Sequence, residues 1–72
     1  MQKTDVLREN KALRVLETIR THPGVSRRGL EKITGYAAVV VRYHTVNLAA
    51  RGLIEMIPRD DEWTFRVSEE AT

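Results

Sequence analysis

The sequence contains no cysteine and only two histidines, so the side chains on which most disulfide and zinc sites depend are missing or scarce. No apolar run approaches the length that spans a bilayer. The first residues, MQKTDVLRENK, lack the apolar core of a signal peptide. We therefore expect a soluble, cytoplasmic protein with no disulfide, no bound metal and no membrane partner.

Signs of catalysis are also missing. The consecutive acidic residues Asp60, Asp61 and Glu62 have no partner His or Cys, and the chain has no glycine-rich phosphate loop. We expect no enzymatic activity, no catalytic residue and no cofactor. With 72 residues, the chain is expected to form one small domain, residues 1–72, with a modest core.

Charge is unevenly distributed, although the net charge is only +2. Residues 1–51 carry a balance of +6, and residues 52–72 carry a balance of −4. A basic body with an acidic C-terminal segment fits a surface that binds a polyanion, and it also fits a surface that is merely well solvated.

Apolar spacing predicts a first helix over about residues 5–21. Ala12, Val15, Leu16 and Ile19 recur at i, i+3, i+4 and i+7, which forms one apolar stripe on a helix. Thr4 or Asp5 can cap its start. The helix should end near residue 21, because the residue before Pro23 disfavours helical backbone angles.

A short helix is predicted over about residues 26–34, with Ser26 as its N-cap and with Leu30 and Ile33 on its buried side. Gly29 weakens this helix by roughly 1 kcal/mol relative to Ala, and it would permit close packing.

A longer helix is predicted over about residues 37–51. Gly35 makes the turn that precedes it, and Gly52 follows its C-terminus, where glycine is preferred because it adopts positive φ without strain. Val41, Thr45, Leu48 and Ala49 fall at core spacing. The run of three valines at residues 39–41 has strand propensity, but the absence of breakers favours a helix.

After Gly52 the period changes to two, which predicts a β-hairpin over about residues 53–67. Trp63, Phe65 and Val67 alternate with Thr64 and Arg66. We expect Trp63 and Phe65 to anchor the hairpin in the core, with an exposed stacking platform as the alternative.

Helix, short helix, turn, helix and hairpin is the order of a winged helix-turn-helix, an α+β fold with three helices and a two-stranded wing. The chain from Leu13 onward resembles the DNA-binding core of bacterial and archaeal transcriptional regulators of the MarR and ArsR types. The resemblance is carried by Leu30, Thr34-Gly35, Val41, His44, Leu48, and Arg51 to Glu55 with the strands that follow.

Several positions depart from that resemblance. Those families usually have a small polar cap at the position of Ala37, Ser or Thr at Val39 and Val40, and Leu at Thr45. Their wings often have a basic tip, whereas Arg59 here stands beside acidic residues. MarR-type proteins also continue into dimerisation helices, so their ligand pocket cannot be transferred to this chain.

The resemblance implies a set of DNA contacts on three elements. On the long helix, Arg42 would read guanine and Asn47 adenine, each pair giving about 1–3 kcal/mol of discrimination, while apolar side chains would contact thymine methyls. The alternative is a solvated helix face. Arginines on the short helix would bind phosphate, and Arg59 on the wing would reach a minor groove or a phosphate; the alternative for each is an ordinary surface arginine. The expected DNA-binding residues are Arg27, Arg28, Ala38, Val39, Arg42, Tyr43, Asn47, Arg51 and Arg59.

These patterns predict sequence-specific binding of double-stranded DNA by a transcriptional regulator, with repression favoured over activation. Because one such module buries limited DNA surface, a homodimer formed through the N-terminal helix is expected, with Val6 and Leu7 on its surface. Two alternatives remain. One is a protein-interaction module, suggested by the apolar start of the long helix. The other is the DNA-binding piece of a replication, partition or mobile-element protein.

Overall fold

The structure is a computed structural model that describes the backbone of residues 3–68 and the side chains of residues 11–68. Three helices and three strands follow one another along this part of the chain. They are α1 (Lys3–Thr21), β1 (Val25–Ser26), α2 (Arg27–Thr34), α3 (Ala38–Ala50), β2 (Ile54–Arg59) and β3 (Glu62–Val67).

Helix α1 buries the apolar stripe that its spacing predicts. Val15 and Ile19 are fully buried, and Thr18 between them is also buried. The hydroxyl of Thr18 donates to the carbonyl of Arg14 at 2.7 Å, so burial leaves it satisfied. The helix ends at Thr21, before the turn at Pro23. The predicted cap at residues 4–5 and the predicted dimer surface at residues 6–7 lie outside the described side chains.

Ser26 both ends β1 and caps α2. Its side-chain oxygen accepts a hydrogen bond from the backbone N–H of Gly29 at 3.1 Å. This bond satisfies one of the free donors of the first turn. Gly35 follows α2 with a φ of +75°, and its N–H donates to the carbonyl of Glu31. The short helix is therefore bounded at both ends by the chemistry of its flanking residues.

Helix α3 has a weaker start than α2. Ala37 occupies the N-cap position in an extended conformation, and no side chain caps the first turn. Arg51 is the C-cap, and Gly52 follows with a φ of +76°. The helix buries Val41, Thr45 and Leu48, as their spacing predicts.

The three strands form one antiparallel sheet in the order β1-β3-β2. Strands β2 and β3 make the predicted hairpin, closed by the two-residue loop Asp60-Asp61 between Arg59 and Glu62. Strand β1 adds a third strand that the sequence analysis did not anticipate, and it pairs Val25 with Phe65. The sheet therefore ties the segment before α2 directly to the wing.

One core lies between the helices and the sheet. Its buried side chains are Val15, Ile19, Leu30, Val41, Leu48, Ile54 and Phe65. Two predicted core residues are not part of it. Ile33 is 40% exposed, because it stands in the last turn of α2 at the margin of the core. Trp63 is 49% exposed, because the hairpin extends past the region in which Phe65 is covered.

Three helices with a β-hairpin packed behind the third make this a winged helix-turn-helix, and the predicted α+β fold class is confirmed. No helix in the described part of the chain is both long enough and apolar enough to cross a membrane.

Candidate functional site

The outward face of α3 is uncovered and carries expected contact residues. Viewed at 100° per residue, Val39, Tyr43, Val46 and Ala50 lie opposite the buried Val41. Val39 is 72% exposed, and Tyr43 and Val46 are each about half exposed. Nothing in the described part of the chain packs over this line, so a partner can approach it along its length.

The flanks of this line carry polar groups. Arg42 lies on one side and is exposed. In the described residues it makes no ion pair. Asn47 lies on the other side, where its amide nitrogen donates to the carbonyl of Tyr43 at 2.8 Å. The acceptor is a carbonyl, so the network fixes which end of the amide faces the helix. The nitrogen end of the amide therefore faces the backbone of α3, while the side chain as a whole is exposed.

The charged side chains of this surface are all positive. No Asp or Glu occurs from Ile33 to Ile54. The N-terminus of α3 has neither a side-chain cap nor an acidic residue in its first turn, so the partial positive charge of the helix end is left uncompensated. Arg51, exposed at the opposite end, complements the negative end of the dipole. Ala38 is exposed in the first turn.

The ring of Tyr43 is fixed by its neighbour in the chain. It meets the ring of His44 edge-on, with centroids 5.2 Å apart and an interplanar angle of 78°. His44 is 5% exposed and belongs to the inner side of the helix. The phenol of Tyr43 is half exposed and lies beside the valines of the outward face. His44 itself, being buried, is not positioned to meet a partner.

The remaining expected residues, Arg27, Arg28 and Arg59, lie away from α3. Arg27 and Arg28 open α2 and are exposed, and they line a cleft of about 370 Å³ together with the wing tip. The other residues that line the cleft are Asp60, Asp61, Glu62 and Trp63. Arg27 also pairs with Glu31, one turn along α2, at 3.4 Å. Arg59 is exposed in β2 just before the acidic loop.

The cleft brings together the two arginines of α2 and the acidic residues of the wing tip, which lie far apart in the sequence. The pairing of β1 with β3 carries the two arginines to the side of the acidic tip, where three carboxylates outnumber two guanidinium groups. A two-residue strand has no periodic signal in the sequence, so this juxtaposition could not be read from the pattern. The carboxylates weaken the attraction of this cleft for phosphate.

The expected contact residues other than Arg59 thus form two surfaces. The first is the α3 face, with Ala38, Val39, Arg42, Tyr43, Asn47 and Arg51. The second is the cleft between α2 and the wing tip. Val46 belongs to the first surface although it was not among the expected contacts, and its spacing of seven residues from Val39 is the signal that places it there. Among the side chains of residues 11–68, no group of three acidic or histidine residues could hold a metal ion.

Comparisons with known proteins agree with the fold. No protein-family model and no curated protein matches the chain. Among solved structures, the chain is similar to a crystal structure described as the predicted DNA-binding transcriptional regulator from E. coli. The two are 27% identical, with a TM-score of 0.74, and the match covers 82% of this chain and 62% of the other. The chain therefore spans less than two thirds of that regulator. The match confirms the predicted resemblance to winged helix-turn-helix regulators.

Proposed function

We propose that this winged helix-turn-helix chain binds double-stranded DNA with α3 in the major groove and acts as a transcriptional regulator, a repressor rather than an activator. The observation that carries the proposal is the uncovered outward face of α3. This face carries Arg42, which has no ion pair among the described residues and lies in a stretch of the chain without Asp or Glu. A helix of this size fits the major groove of B-DNA. The description of the similar E. coli protein supports the same function.

Arginines around α3 would supply the affinity that does not depend on sequence. Arg28 and Arg51 make no ion pair in the described residues, whereas Arg27 would have to leave Glu31 to meet a phosphate. Each phosphate that is neutralised releases counterions, so binding should weaken steeply as salt increases. Arg59 would contribute least, because the acidic loop beside it repels the DNA backbone.

A homodimer is part of the proposal, because a single module of this size buries limited DNA surface. Helix α1 is the proposed contact. Leu13 on α1 is 61% exposed, and a second copy of the chain could cover this large apolar side chain. Arg14, the next residue of α1, donates to the carbonyl of Ile33 at 3.5 Å, so α1 contacts the end of α2, where Ile33 is also exposed.

The test is a mobility-shift titration of wild type and Arg42→Ala on a random duplex, at about 50 mM and about 200 mM salt. We expect salt-sensitive binding by the wild type. Arg42→Ala should bind more weakly than the wild type, and if Arg42 contacts a base, the loss on a duplex that carries that base should be about 5- to 150-fold. If it contacts a phosphate instead, the slope of log affinity against log salt should fall by about 0.9.

Arg20→Ala is the matched control, because it removes the same charge from an exposed arginine on α1 that pairs with Glu17 at 2.6 Å. It should bind nearly as well as the wild type. Absence of salt-sensitive binding by the wild type would refute the proposal. Equal losses in Arg42→Ala and Arg20→Ala would show that net charge, rather than the α3 face, determines binding.

A second candidate function is a protein-interaction module. The exposed Val39, Tyr43, Val46 and Ala50 recur at i, i+4, i+7 and i+11, which is the spacing of a coiled-coil seam. A partner helix could cover this line. The acid-free surroundings favour DNA, and the titration separates the two functions, because protein docking requires no salt-sensitive binding to a random duplex.

A further inference from the structure

The centre of the α3 face, where a groove-bound helix comes closest to the bases, is apolar. Val39 is 72% exposed and Val46 is 49% exposed, and the half-exposed ring of Tyr43 lies between them. Two β-branched side chains there cannot donate or accept hydrogen bonds. Hydrogen bonding at this position is left to the hydroxyl of Tyr43, so the two valines must recognise something else in the groove.

The polar groups nearby do not replace them. A bidentate contact to adenine requires the Asn47 amide to present both of its ends to the base. Its nitrogen is held instead by the carbonyl of Tyr43 at 2.8 Å. Arg42 lies about 80° around the helix from the line opposite Val41, at the flank that faces the groove wall rather than its floor.

The major groove offers one apolar group to such a surface, the C5 methyl of thymine. We propose that α3 selects its DNA by contact of Val39 and Val46 with thymine methyl groups, an inference that rests on the proposed binding of DNA. The two valines are seven residues apart, about 10.5 Å along the helix axis. That distance corresponds to about three base-pair steps of about 3.4 Å. Thymines separated by this interval are the preferred target.

The chemistry has a second consequence. 5-Methylcytosine carries a methyl group on the same ring carbon as thymine, and this methyl also projects into the major groove. An apolar contact with this methyl group cannot distinguish 5-methylcytosine from thymine, whereas a hydrogen bond to the base edge could. The inference therefore predicts that methylation of cytosine strengthens binding to a G·C duplex.

The experiment compares duplexes that differ only in these methyl groups. Fluorescence anisotropy is measured on an alternating A·T duplex of 24 base pairs and on the same duplex with deoxyuridine in place of every thymidine. We expect tighter binding to the thymine duplex by about fourfold for each methyl that is contacted, the factor given by burial of one methyl group. A G·C duplex should likewise be bound more tightly when its cytosines carry the C5 methyl group than when they do not.

The variant Val39→Ala/Val46→Ala should reduce the thymine-to-uracil affinity ratio to about one, whereas Arg20→Ala should keep it. This comparison is needed because loss of the methyl also changes duplex stiffness, which a protein can sense without touching the methyl. Circular dichroism verifies that the double variant folds. We expect α3 to form, because alanine has a higher helix propensity than valine.

The outcomes distinguish failure of this inference from failure of the proposed DNA binding. Salt-sensitive binding with equal affinity for thymine and uracil duplexes overturns the inference and leaves DNA binding standing. A thymine preference that persists in the double variant also overturns it, because the preference would then arise from duplex shape. Absence of binding to every duplex overturns the proposed function itself.

Discussion

Gly29 packs against Val25 so closely that a Cβ atom at residue 29 would lie 2.8 Å from Cγ2 of Val25. The same Cβ would lie 3.4 Å from the hydroxyl oxygen of Ser26, which caps α2. Glycine is a poor helix former, yet at this position it allows α2 to begin directly beside β1. The close packing that Gly29 suggests in the sequence therefore occurs against a strand rather than against another helix.

We predict that Gly29→Ala lowers the free energy of unfolding by up to about 2 kcal/mol. The gain in helix propensity is about 1 kcal/mol. Overpacking costs about 1–3 kcal/mol, because Val25 is half-buried and β-branched and cannot move freely. Urea unfolding measures the change.

Val25→Ala provides the control for this prediction. In that background the clash is relieved, and Gly29→Ala should become neutral or stabilising. Equal effects of Gly29→Ala in both backgrounds would show that contact with Val25 does not limit residue 29.

The uncapped start of α3 leads to a second prediction. Ala37 has the extended backbone of an N-cap, with φ of −66° and ψ of 156°. Ala37→Ser and Ala37→Asp should each raise the free energy of unfolding by about 0.5–2 kcal/mol, because either side chain can accept from the first-turn N–H groups.

The two substitutions should separate in DNA binding. Asp adds a negative charge at the end of α3 that would meet phosphate, so it should weaken binding severalfold at low salt, whereas Ser should not. Anisotropy titrations alongside thermal unfolding make the comparison. Equal affinities for the two variants would show that this helix end does not approach the DNA backbone.

A third prediction concerns the acidic wing tip. Neutralising Asp60 and Asp61 as Asn should strengthen DNA binding severalfold at about 50 mM salt, because repulsion of phosphate is removed and Arg28 is no longer opposed. The gain should be smaller at about 200 mM, where screening is stronger. Asn suits residue 60, whose φ of +57° Asn tolerates well.

Glu17→Gln is the control, since Glu17 lies on α1 and pairs with Arg20. It changes charge in the same direction at a position away from the wing. If it strengthened binding as much per charge as the wing substitutions, the effect would belong to net charge rather than to the wing.

A fourth prediction tests the proposed dimer. Leu13→Glu should shift the protein toward monomer in sedimentation equilibrium, because it introduces a charge into the proposed α1 contact. Val46→Glu should leave the association unchanged. The opposite pattern would identify the α3 face as the contact between copies and would contradict its placement in the groove.

Local signals in the sequence predicted the helix ends well. Ser26 as a cap, Pro23 after α1 and Gly35 after α2 act through their own backbone and side-chain chemistry, which depends little on the rest of the fold. The inner face of α3 was also predictable, because Val41 and Leu48 follow the helical period. These features required no knowledge of how the elements pack.

The burial of individual side chains and the pairing of β1 with β3 were less predictable from the sequence. Alternation places Trp63 on the same side of β3 as Phe65, but it does not reveal where the covering helices end. Ile33 has helical spacing to Leu30, yet it stands in the last turn of a helix of eight residues, where the core has ended. Strand β1, with two residues, is formed by its pairing with β3 and has no pattern of its own.

That pairing has a mechanical consequence. The central strand β3 is hydrogen-bonded on one side to the outer wing strand and on the other to the segment that opens α2. A force that lifts the wing is thus passed through Phe65 to Val25 and on to Arg27. The wing and the short helix should therefore move together, so a duplex that touches both meets them at a fixed separation.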